Sequence, residues 1–502
     1  MHKSSKTLTG IIAIGLGMII LGMIWSIANT AMATLQKKLF ADVGQLQWMM
    51  NCFGIFICVP LLTMGNLGDA YGRKLLFLLA LGAAGLASLV AGFANSIFTL
   101  IGCMGVFGLA GSVILPLSQA LLVHQFPENK REKAVGLWSI FASVALACGP
   151  VVGGAILNYF SWRWIYWMNV PIILAVIPCI ILFVKKDEEK HPPHCDWGGV
   201  ALLAIFLTSF ILGIMQGPTF GWTSWFTLSF LALSLIALFF FIRLEKRTKK
   251  PLFRPDLFAK KTFLFSALPN ACLIGCIWIV FFSIPLYLQN MQGYTAFGAA
   301  FFLLLISLPM AFLSIPVTKC YETFGPKPLL LVGFSLLALA FILQAAFLDH
   351  SSLTNFITSA LLIGIAWVAI WGPSISSSLA SLPHRLAGTA AGMFTTLQEL
   401  GAVVFFTLGG IFFRTTHSHL LKPYEQNILS DLKTALPEDS IQSLLTNPSA
   451  ITVYLHHPDT WLPILKKSFV ISYQNTFWCA LGICLLGLLF SIFLPKHEKR
   501  AS

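Results

Sequence analysis

The fold is decided by a short polar stretch between two long apolar runs. It reads Gly65-Asn66-Leu67-Gly68-Asp69-Ala70-Tyr71-Gly72-Arg73-Lys74. Residues 45–64 before it and 75–94 after it contain no charged side chain, and a helix needs roughly 20 apolar residues to cross a bilayer. The glycines let two helix ends approach and turn, and Asp69 can pair with an arginine or a helix N-terminus. The stretch predicts a tight, charged hinge between two membrane-spanning helices.

The same apolar pattern continues along the whole chain of 502 residues. Hydrophobic residues make up 57% and charged residues only 10%, whereas a soluble protein carries about 25% charged residues. A soluble enzyme, a coiled coil and a disordered chain are therefore excluded. We predict an all-α polytopic membrane protein with fourteen spans, near residues 10–34, 45–64, 75–94, 97–123, 134–158, 164–184, 198–216, 224–243, 263–288, 296–317, 328–348, 353–379, 386–413 and 471–494.

The first apolar run also has features of a cleaved signal sequence. Lys3 and Lys6 precede it, and it contains Ala31-Met32-Ala33. It is long for a signal sequence, however, and thirteen further spans follow it. We therefore interpret residues 10–34 as a membrane helix, with the signal sequence as the alternative.

The net charge of +13 is explained by membrane topology rather than by nucleic-acid binding. With an even number of spans, both termini lie on one side, and the connections on that side hold 24 of the 32 Lys and Arg residues. Five of the other eight belong to the long segment 414–470, which counts little because the positive-inside rule applies to short loops. The distribution predicts cytoplasmic termini. The most basic connection, Arg243 to Lys261, is either a solvated loop or a contact for anionic lipid headgroups.

Further motifs follow in order along the chain. Residues 149–154 read Gly149-Pro150-Val151-Val152-Gly153-Gly154, in which the proline interrupts the helix and the glycines allow close packing. Residues 161–171 read Ser161-Trp162-Arg163-Trp164-Ile165-Tyr166-Trp167-Met168-Asn169-Val170-Pro171, and residues 387–392 read Ala387-Gly388-Thr389-Ala390-Ala391-Gly392. Together with Gly65 to Lys74, these runs resemble the signatures of the major facilitator superfamily, and specifically of its fourteen-helix drug:proton antiporters.

A second copy of the hinge supports this resemblance. Asp69-Ala70-Tyr71-Gly72-Arg73-Lys74 aligns with Glu322-Thr323-Phe324-Gly325-Pro326-Lys327. The repeat predicts two six-helix halves, residues 10–184 and 263–494, with two inserted helices in 198–243 and an extracytoplasmic segment in 414–470. In the superfamily such halves rock about a site at the membrane midplane. The residues that the resemblance assigns to this conformational change are Gly65, Asp69, Gly72, Arg73, Lys74, Gly149, Pro150, Gly153 and Gly154.

The chain departs from the family pattern at two charged positions. The first helix of the family usually carries an Asp five residues before an Asn, and here Ile24 precedes Asn29. The fourth helix usually carries an Arg, and here the residue is Met104. Both family charges are implicated in proton coupling and cation recognition. Their absence makes a proton-independent exporter an open alternative.

One carboxylate lies deep in an apolar stretch. Glu399 follows the start of span thirteen by about thirteen residues, which is roughly 20 Å along a helix. It shares a helix face with small and polar residues, which we expect to face the bundle interior. An intramembrane carboxylate is a functional hypothesis by default, so Glu399 is our candidate for proton coupling; the alternative is a neutral, structural glutamate. Candidates for lining a cavity are Ser26, Asn29, Thr30, Asn51, Ser112, Gln119, Thr395 and Thr396.

The sequence predicts a secondary transporter of a bacterial inner membrane. It would export a hydrophobic or amphiphilic small molecule in exchange for protons, within a lipid bilayer and without nucleic acid, metal or cofactor. The alternatives are a dedicated exporter of one metabolite, such as a siderophore, and a non-transporting sensor on the same scaffold. The sequence contains no nucleotide-binding loop and no metal-binding or Ser/His/acid set in the membrane, which argues against an enzyme. The sequence does not identify a periplasmic partner.

Overall fold

The computed structural model describes residues 2–127, 131–185, 196–248, 255–346, 353–380, 387–432, 445–451 and 454–495. The predicted connections at 186–195, 249–254 and 381–386 lie outside these ranges. The described part consists mainly of helices joined by short connections, with an isolated antiparallel bridge between Leu432 and Leu455. Its helices are α1 His2–Thr30, α2 Met32–Leu39, α3 Val43–Cys58, α4 Leu61–Tyr71, α5 Arg73–Gly92, α6 Ile97–His124, α7 Arg131–Tyr159, α8 Trp164–Trp167, α9 Asn169–Phe183, α10 Trp197–Phe220, α11 Trp225–Arg247, α12 Pro255–Phe258, α13 Lys261–Asn290, α14 Ala296–Phe324, α15 Pro326–Ala346, α16 Leu353–Ala380, α17 Ala387–Leu421, α18 Glu425–Ser430, α19 Pro448–Ile451 and α20 Pro458–Ile492.

The helices confirm the predicted fold class. Thirteen segments of the described residues are long and apolar enough to cross a membrane, and a fourteenth is the bent pair α3 and α4. The bend is 44° and lies at Pro60, whose ring excludes a backbone hydrogen bond and clashes with the preceding turn. The second predicted span is therefore present, but as a broken helix.

The last two spans are longer than the sequence predicted. Helix α17 continues to Leu421 and helix α20 begins at Pro458, so both ends of the predicted segment 414–470 are helical. Apolarity marked only part of each helix, because hydrogen bonding along the backbone continues into polar residues such as Lys466 and Lys467. The predicted segment 414–470 also contains the short helix α18.

The chain packs as two compact units. The first unit contains Met1–Ala31, Met49–Thr208 and Ser234–Phe253, and the second contains Met32–Trp48, Ser209–Leu233 and Arg254–Ser502. Helices α10 and α11 thus contribute residues to both units. The division into six, two and six helices stays a prediction, because packing groups residues by proximity and does not define the repeats.

Close contact between helices in each unit depends on glycine. In the second unit, α13 is buried along nearly all its length and crosses α17 at Gly275 and Gly401. A Cβ atom on Gly401 would lie 2.5 Å from the Cβ of Ala271 and 2.7 Å from its carbonyl oxygen. Because helices in lipid gain little from the hydrophobic effect, such close approach is a main source of their association.

The connection between α17 and α20 contains a small hydrophobic core of its own, which we call the cap. His417 ties the cap to the bundle: its Nε2 donates to the carbonyl of Leu445 at 3.1 Å, and its Nδ1 accepts from the hydroxyl of Ser468 at 2.9 Å. The buried residues of this core are Leu421, Ile428, Leu445, Ile451, Leu455 and Leu465.

A buried glutamine joins the cap to α2 within the second unit. The Nε2 of Gln36 donates to the Thr446 hydroxyl at 2.9 Å, and its Oε1 accepts from Asn290 at 2.9 Å and from Asn447 at 3.3 Å. One side chain therefore links α2, the end of α13 and the cap. The segment from Met32 to Trp48 belongs to the second unit partly for this reason.

We expect Gly401→Ala to lower the stability of the protein. The added methyl group meets backbone atoms of Ala271, which cannot move aside as a side chain would, and overpacking costs about 1–3 kcal/mol. Gly82→Ala is the matched control, because a Cβ at Gly82 meets nothing within 4 Å. The midpoint of thermal unfolding in detergent measures the difference. Equal midpoints for the two variants would contradict the close packing of α13 and α17.

We expect the cap to loosen in Asp431→Asn. The His457 Nδ1 donates to Asp431 at 2.6 Å. Partial burial acts to raise the pKa of Asp431, but the hydrogen bonds and charge of His457 outweigh it and hold that pKa below its usual value of 3.8. The stabilisation is therefore complete above about pH 4 and disappears as the pH falls through the lowered pKa.

Hydrogen exchange of the peptide around Glu425–Ser430 measures this effect. Exchange corrected for the intrinsic rate should be faster in Asp431→Asn than in the wild type at pH 7, and the two should converge as the pH falls through the lowered pKa of Asp431. Asp459→Asn is the control, because Asp459 is exposed and belongs to α20. A difference that persists unchanged once Asp431 of the wild type is protonated would remove the ion pair as its cause.

Candidate functional site

The hinge of the first unit is an ion pair beside a glycine. Helix α4 ends at Tyr71, Gly72 has φ +104°, and α5 begins at Arg73. A φ in this region favours glycine. The Nε of Arg73 donates to the carboxylate of Asp69 at 2.8 Å, across one helical turn. A Cβ at Gly65 would meet nothing within 4 Å, so packing does not require glycine at that position.

Lys74 closes the end of another helix. Its Nζ donates to the carbonyl of Ile181 at 2.8 Å and to that of Val184 at 2.7 Å. The last carbonyls of a helix have no partner within the helix, and its C-terminus carries partial negative charge. At the end of α9, Lys74 supplies both the hydrogen-bond donor for these carbonyls and the positive charge that the helix C-terminus favours.

The second copy of the motif repeats this geometry in the second unit. Gly325 has φ +77° between α14 and α15, as Gly72 does between α4 and α5. The Nζ of Lys327 donates to the carbonyl of Ile492 at the end of α20. The ion pair is not repeated, because Pro326 stands where Arg73 does and Glu322 is exposed. Both copies thus share the glycine turn and the lysine that donates to carbonyls at the end of another helix.

The glycine-rich run in α7 packs against α1. A Cβ on Gly149 would overlap the hydroxyl of Ser26, and one on Gly153 would lie 2.8 Å from Ile27. Pro150 and Gly154 are buried in the same stretch. Ser26 itself donates to the carbonyl of Gly22 at 2.9 Å. These residues form a close crossing of two helices in the first unit.

The other polar candidates in the first unit mostly bond to their own helices. Asn29 donates to the Trp25 carbonyl at 2.9 Å, Thr30 to the Ser26 carbonyl at 3.3 Å, and Ser112 to the Leu109 carbonyl at 2.7 Å. All three side chains are buried. Asn51 is fully buried and Gln119 is half-buried. Their assignment as cavity-lining residues stays a prediction.

Glu399 belongs to a polar cluster in the second unit. It lies on α17 and is half-buried, and its Oε1 accepts from the Nε2 of Gln398 at 3.2 Å. The Oε1 of Gln398 accepts in turn from Asn270 on α13 at 2.9 Å and from the indole of Trp371 on α16 at 3.2 Å. Three helices therefore meet at one carboxamide next to the carboxylate.

The small and polar residues that share the helix face of Glu399 on α17 are only partly enclosed. Thr396 and Ala402 are buried, while Gly392 and Thr395 are half-buried like Glu399. Thr395 donates to the Ala391 carbonyl and Thr396 to the Gly392 carbonyl, each at 3.0 Å. Each of these bonds lies within α17, and the face keeps its small, polar character.

Sequence reasoning missed the polar cluster around Glu399. Gln398 is adjacent to Glu399 in the chain, and Asn270 is a polar residue in a largely apolar span, so the sequence weakly indicated both as members of the cluster. It gave no indication of Trp371, because an indole in an apolar helix is typical of a packing residue. Asn270 and Trp371 are 128 and 27 residues from Gln398 in the chain, so no local pattern predicts their contacts with it.

A family model described as Major Facilitator Superfamily matches residues 14–199 and 196–406 of this chain. The chain belongs to the Major Facilitator Superfamily. The match covers most of the helices of both units. The protein is therefore a multi-pass membrane transporter and not an enzyme.

Relatives of this superfamily member are named for drug resistance and export. It is 26% identical to the multidrug resistance protein Stp of Mycobacterium tuberculosis over 84% of this chain and 78% of that protein. It is 25% identical to the tetracenomycin C resistance and export protein of Streptomyces glaucescens over 97% and 91% of the two chains. The probable multidrug resistance protein EmrY of Escherichia coli is 27% identical over 80% of each.

Solved structures show the same fold at low identity. A POT family peptide transporter in an autoinhibited form superposes with a TM-score of 0.64 at 14% identity, covering 98% of both chains. An inward-facing bacterial homologue of the lysosomal transporter Spinster gives a TM-score of 0.62 at 14% identity, covering 98% and 97%. These likenesses establish the superfamily fold alone.

We expect Lys74→Met and Lys327→Met each to destabilise the transporter. Each change removes a charged donor from the end of a long helix, at a cost of about 1 kcal/mol for a partly exposed site. Lys319→Met is the control, because Lys319 is exposed on α14. The three midpoints of thermal unfolding in detergent make the comparison. A control variant as unstable as the other two would show that any lost lysine has this effect.

Proposed function

We propose that this transporter exports hydrophobic or amphiphilic small molecules in exchange for protons, and that Glu399 carries the proton. The observation that carries the proposal is a half-buried carboxylate on a membrane helix whose only described hydrogen-bond partner is a neutral amide. A carboxylate inside a membrane protein is costly, and residues of this kind mark ion and proton pathways. The side chain of Glu399 is not fully enclosed by the second unit, which leaves it open to the proton exchange that we propose.

The relatives support the direction of transport and the substrate class. Two of them are named for multidrug resistance and one for resistance to and export of tetracenomycin C. The basic connections support cytoplasmic termini, and we infer that the transporter lies in the inner membrane of a bacterium. A proton entering through Glu399 then lowers its free energy by about 2.3 kcal/mol per 100 mV of membrane potential. This release drives substrate outward.

The substrate site is not the enclosed cavity of the second unit. That cavity lies between Phe282, Phe406, Phe413 and Tyr473 and has a volume of about 10 Å³, enough for about one water molecule. Substrate recognition therefore needs a larger space than this cavity. The aromatic rings around this cavity make its walls apolar. The ring of Trp278 packs on that of Phe406, with 5.8 Å between the ring centroids.

A proton-independent exporter is the second candidate. Ile24 and Met104 stand where the family usually has charges, and both are buried with 3% and 0% exposure. They pack as core residues and supply no charge for coupling or for cation recognition. This candidate includes a dedicated exporter of one metabolite, such as a siderophore.

We expect Glu399→Gln to abolish coupled transport. In proteoliposomes with an imposed pH gradient, adding substrate to the wild type should dissipate the gradient, and the variant should do so at least about tenfold more slowly, since a glutamine cannot bind a proton in this range. Tetracenomycin C and a panel of amphiphilic antibiotics serve as probes. Glu322→Gln is the control, because Glu322 is exposed at the end of α14.

Two results would contradict the proposal in different ways. A wild-type rate in Glu399→Gln would remove Glu399 from the mechanism. Substrate movement by the wild type that never dissipates the gradient would favour the proton-independent exporter. A protein that moves none of the probes, while its cells gain no resistance, would point to a sensor.

A further inference from the structure

The carboxamide of Gln398 has a fixed orientation. Its oxygen accepts two hydrogen bonds, from the Nδ2 of Asn270 at 2.9 Å and from the Nε1 of Trp371 at 3.2 Å. A carbonyl oxygen has two lone pairs, and an indole nitrogen is a donor only. Rotating the amide by 180° would turn its NH₂ group toward two other donors. Asn270 and Trp371 therefore determine which way Gln398 points.

This orientation directs an N–H at the carboxylate. The Nε2 of Gln398 donates to the Oε1 of Glu399 at 3.2 Å. Hydrogen bonds to an ionised acceptor are roughly twice as strong as those between neutral groups. The contact is therefore strongest when Glu399 is deprotonated and weakens when it takes up a proton.

Nothing else in the described part of the chain competes for Glu399. Gln398 is its only hydrogen-bond partner there, and no basic side chain of the described residues forms an ion pair with it. The Oδ1 of Asn270 is buried with no partner among the described residues. This oxygen can therefore accept a hydrogen bond from a further donor, such as a water molecule. The position of the deprotonated carboxylate depends on a single amide.

We propose that Gln398, held by Asn270 and Trp371, is the positioning residue that keeps the deprotonated side chain of Glu399 in place for proton exchange. This inference rests on the proposed function, since it assigns a role to Gln398 only if Glu399 carries the proton. Gln398 does not itself bind the proton. It couples the charge state of Glu399 to the packing of α13, α16 and α17.

The decisive experiment compares two activities of purified protein in proteoliposomes, with tetracenomycin C or whichever of the amphiphilic antibiotics the wild type transports as the probe. The first is substrate-induced dissipation of a pH gradient. The second is exchange of labelled for unlabelled substrate at equal pH on both sides, which requires a folded transporter but no net proton transfer. Gln398→Met removes the donor and keeps the length of the side chain. We expect it to slow the first activity by about tenfold and to leave the second within about twofold.

Gln344→Met is the matched control. Gln344 is a buried glutamine of the same unit whose amide bonds the hydroxyls of Ser359 and Tyr473 and no acid. Any loss that it causes is structural and should lower both activities together. The same parallel loss in Gln398→Met would overturn the positioning role, as would wild-type activity in both assays.

A second variant decides the matter if Gln398→Met does not accumulate. Trp371→Phe keeps an aromatic ring and deletes the N–H that orients Gln398 together with part of the indole, and the exchange assay reports any loss of packing. We expect its gradient dissipation to fall by about two- to threefold with exchange unchanged, and wild-type dissipation would overturn the proposal.

The failure of this inference is distinguishable from that of the proposed function. If Glu399→Gln dissipates the gradient like the wild type, the proposed function fails and the positioning role fails with it. If Glu399→Gln loses coupling while Gln398→Met and Trp371→Phe keep it, only the positioning role is wrong.

Discussion

The structure depends on one constraint, that backbone N–H and C=O groups inside a bilayer find no water. Each span must therefore be a helix that satisfies its own backbone, and only helix ends remain to be paired. Lys74 and Lys327 do this for α9 and α20, at equivalent points of the two repeats. Each lysine also follows a glycine with positive φ, so one short motif both turns the chain and closes a distant helix.

The same constraint explains why small residues decide how the helices pack. With lipid on the outside, two helices gain from approaching closely, and glycine permits the closest approach. Gly149 and Gly153 do this for α1 and α7, and Gly401 for α13 and α17. The second crossing has a further consequence, because it brings Asn270 of α13 next to Gln398 of α17. A packing requirement thereby builds the polar surroundings of Glu399.

Most polar groups in such an interior have partners, because an unpaired polar group is costly where no water reaches it. Most of the candidate hydroxyls, including Thr30, Ser112 and Thr396, bond to carbonyls of their own helices. The cluster around Glu399 differs, since its bonds cross between three helices. The network around Gln36 and His417 also crosses between helices and joins the cap to the bundle. Polar bonds between helices thus hold the surroundings of the carboxylate and the cap in place, as those of Gln344 do between α15, α16 and α20.

The sequence by itself determined the fold class, the hinge motif with its repeat, and Glu399 as the carboxylate of interest. These follow from local composition and spacing, because a bilayer imposes length and apolarity on every span. It did not determine the break at Pro60, the true ends of α17 and α20, or the cap, since helices continue past the apolar residues that mark them. Only the tertiary structure decided which side chains hold Gln398 beside Glu399. Asn270 and Gln398 are 128 residues apart, and no local pattern records which side chains a close helix crossing brings together.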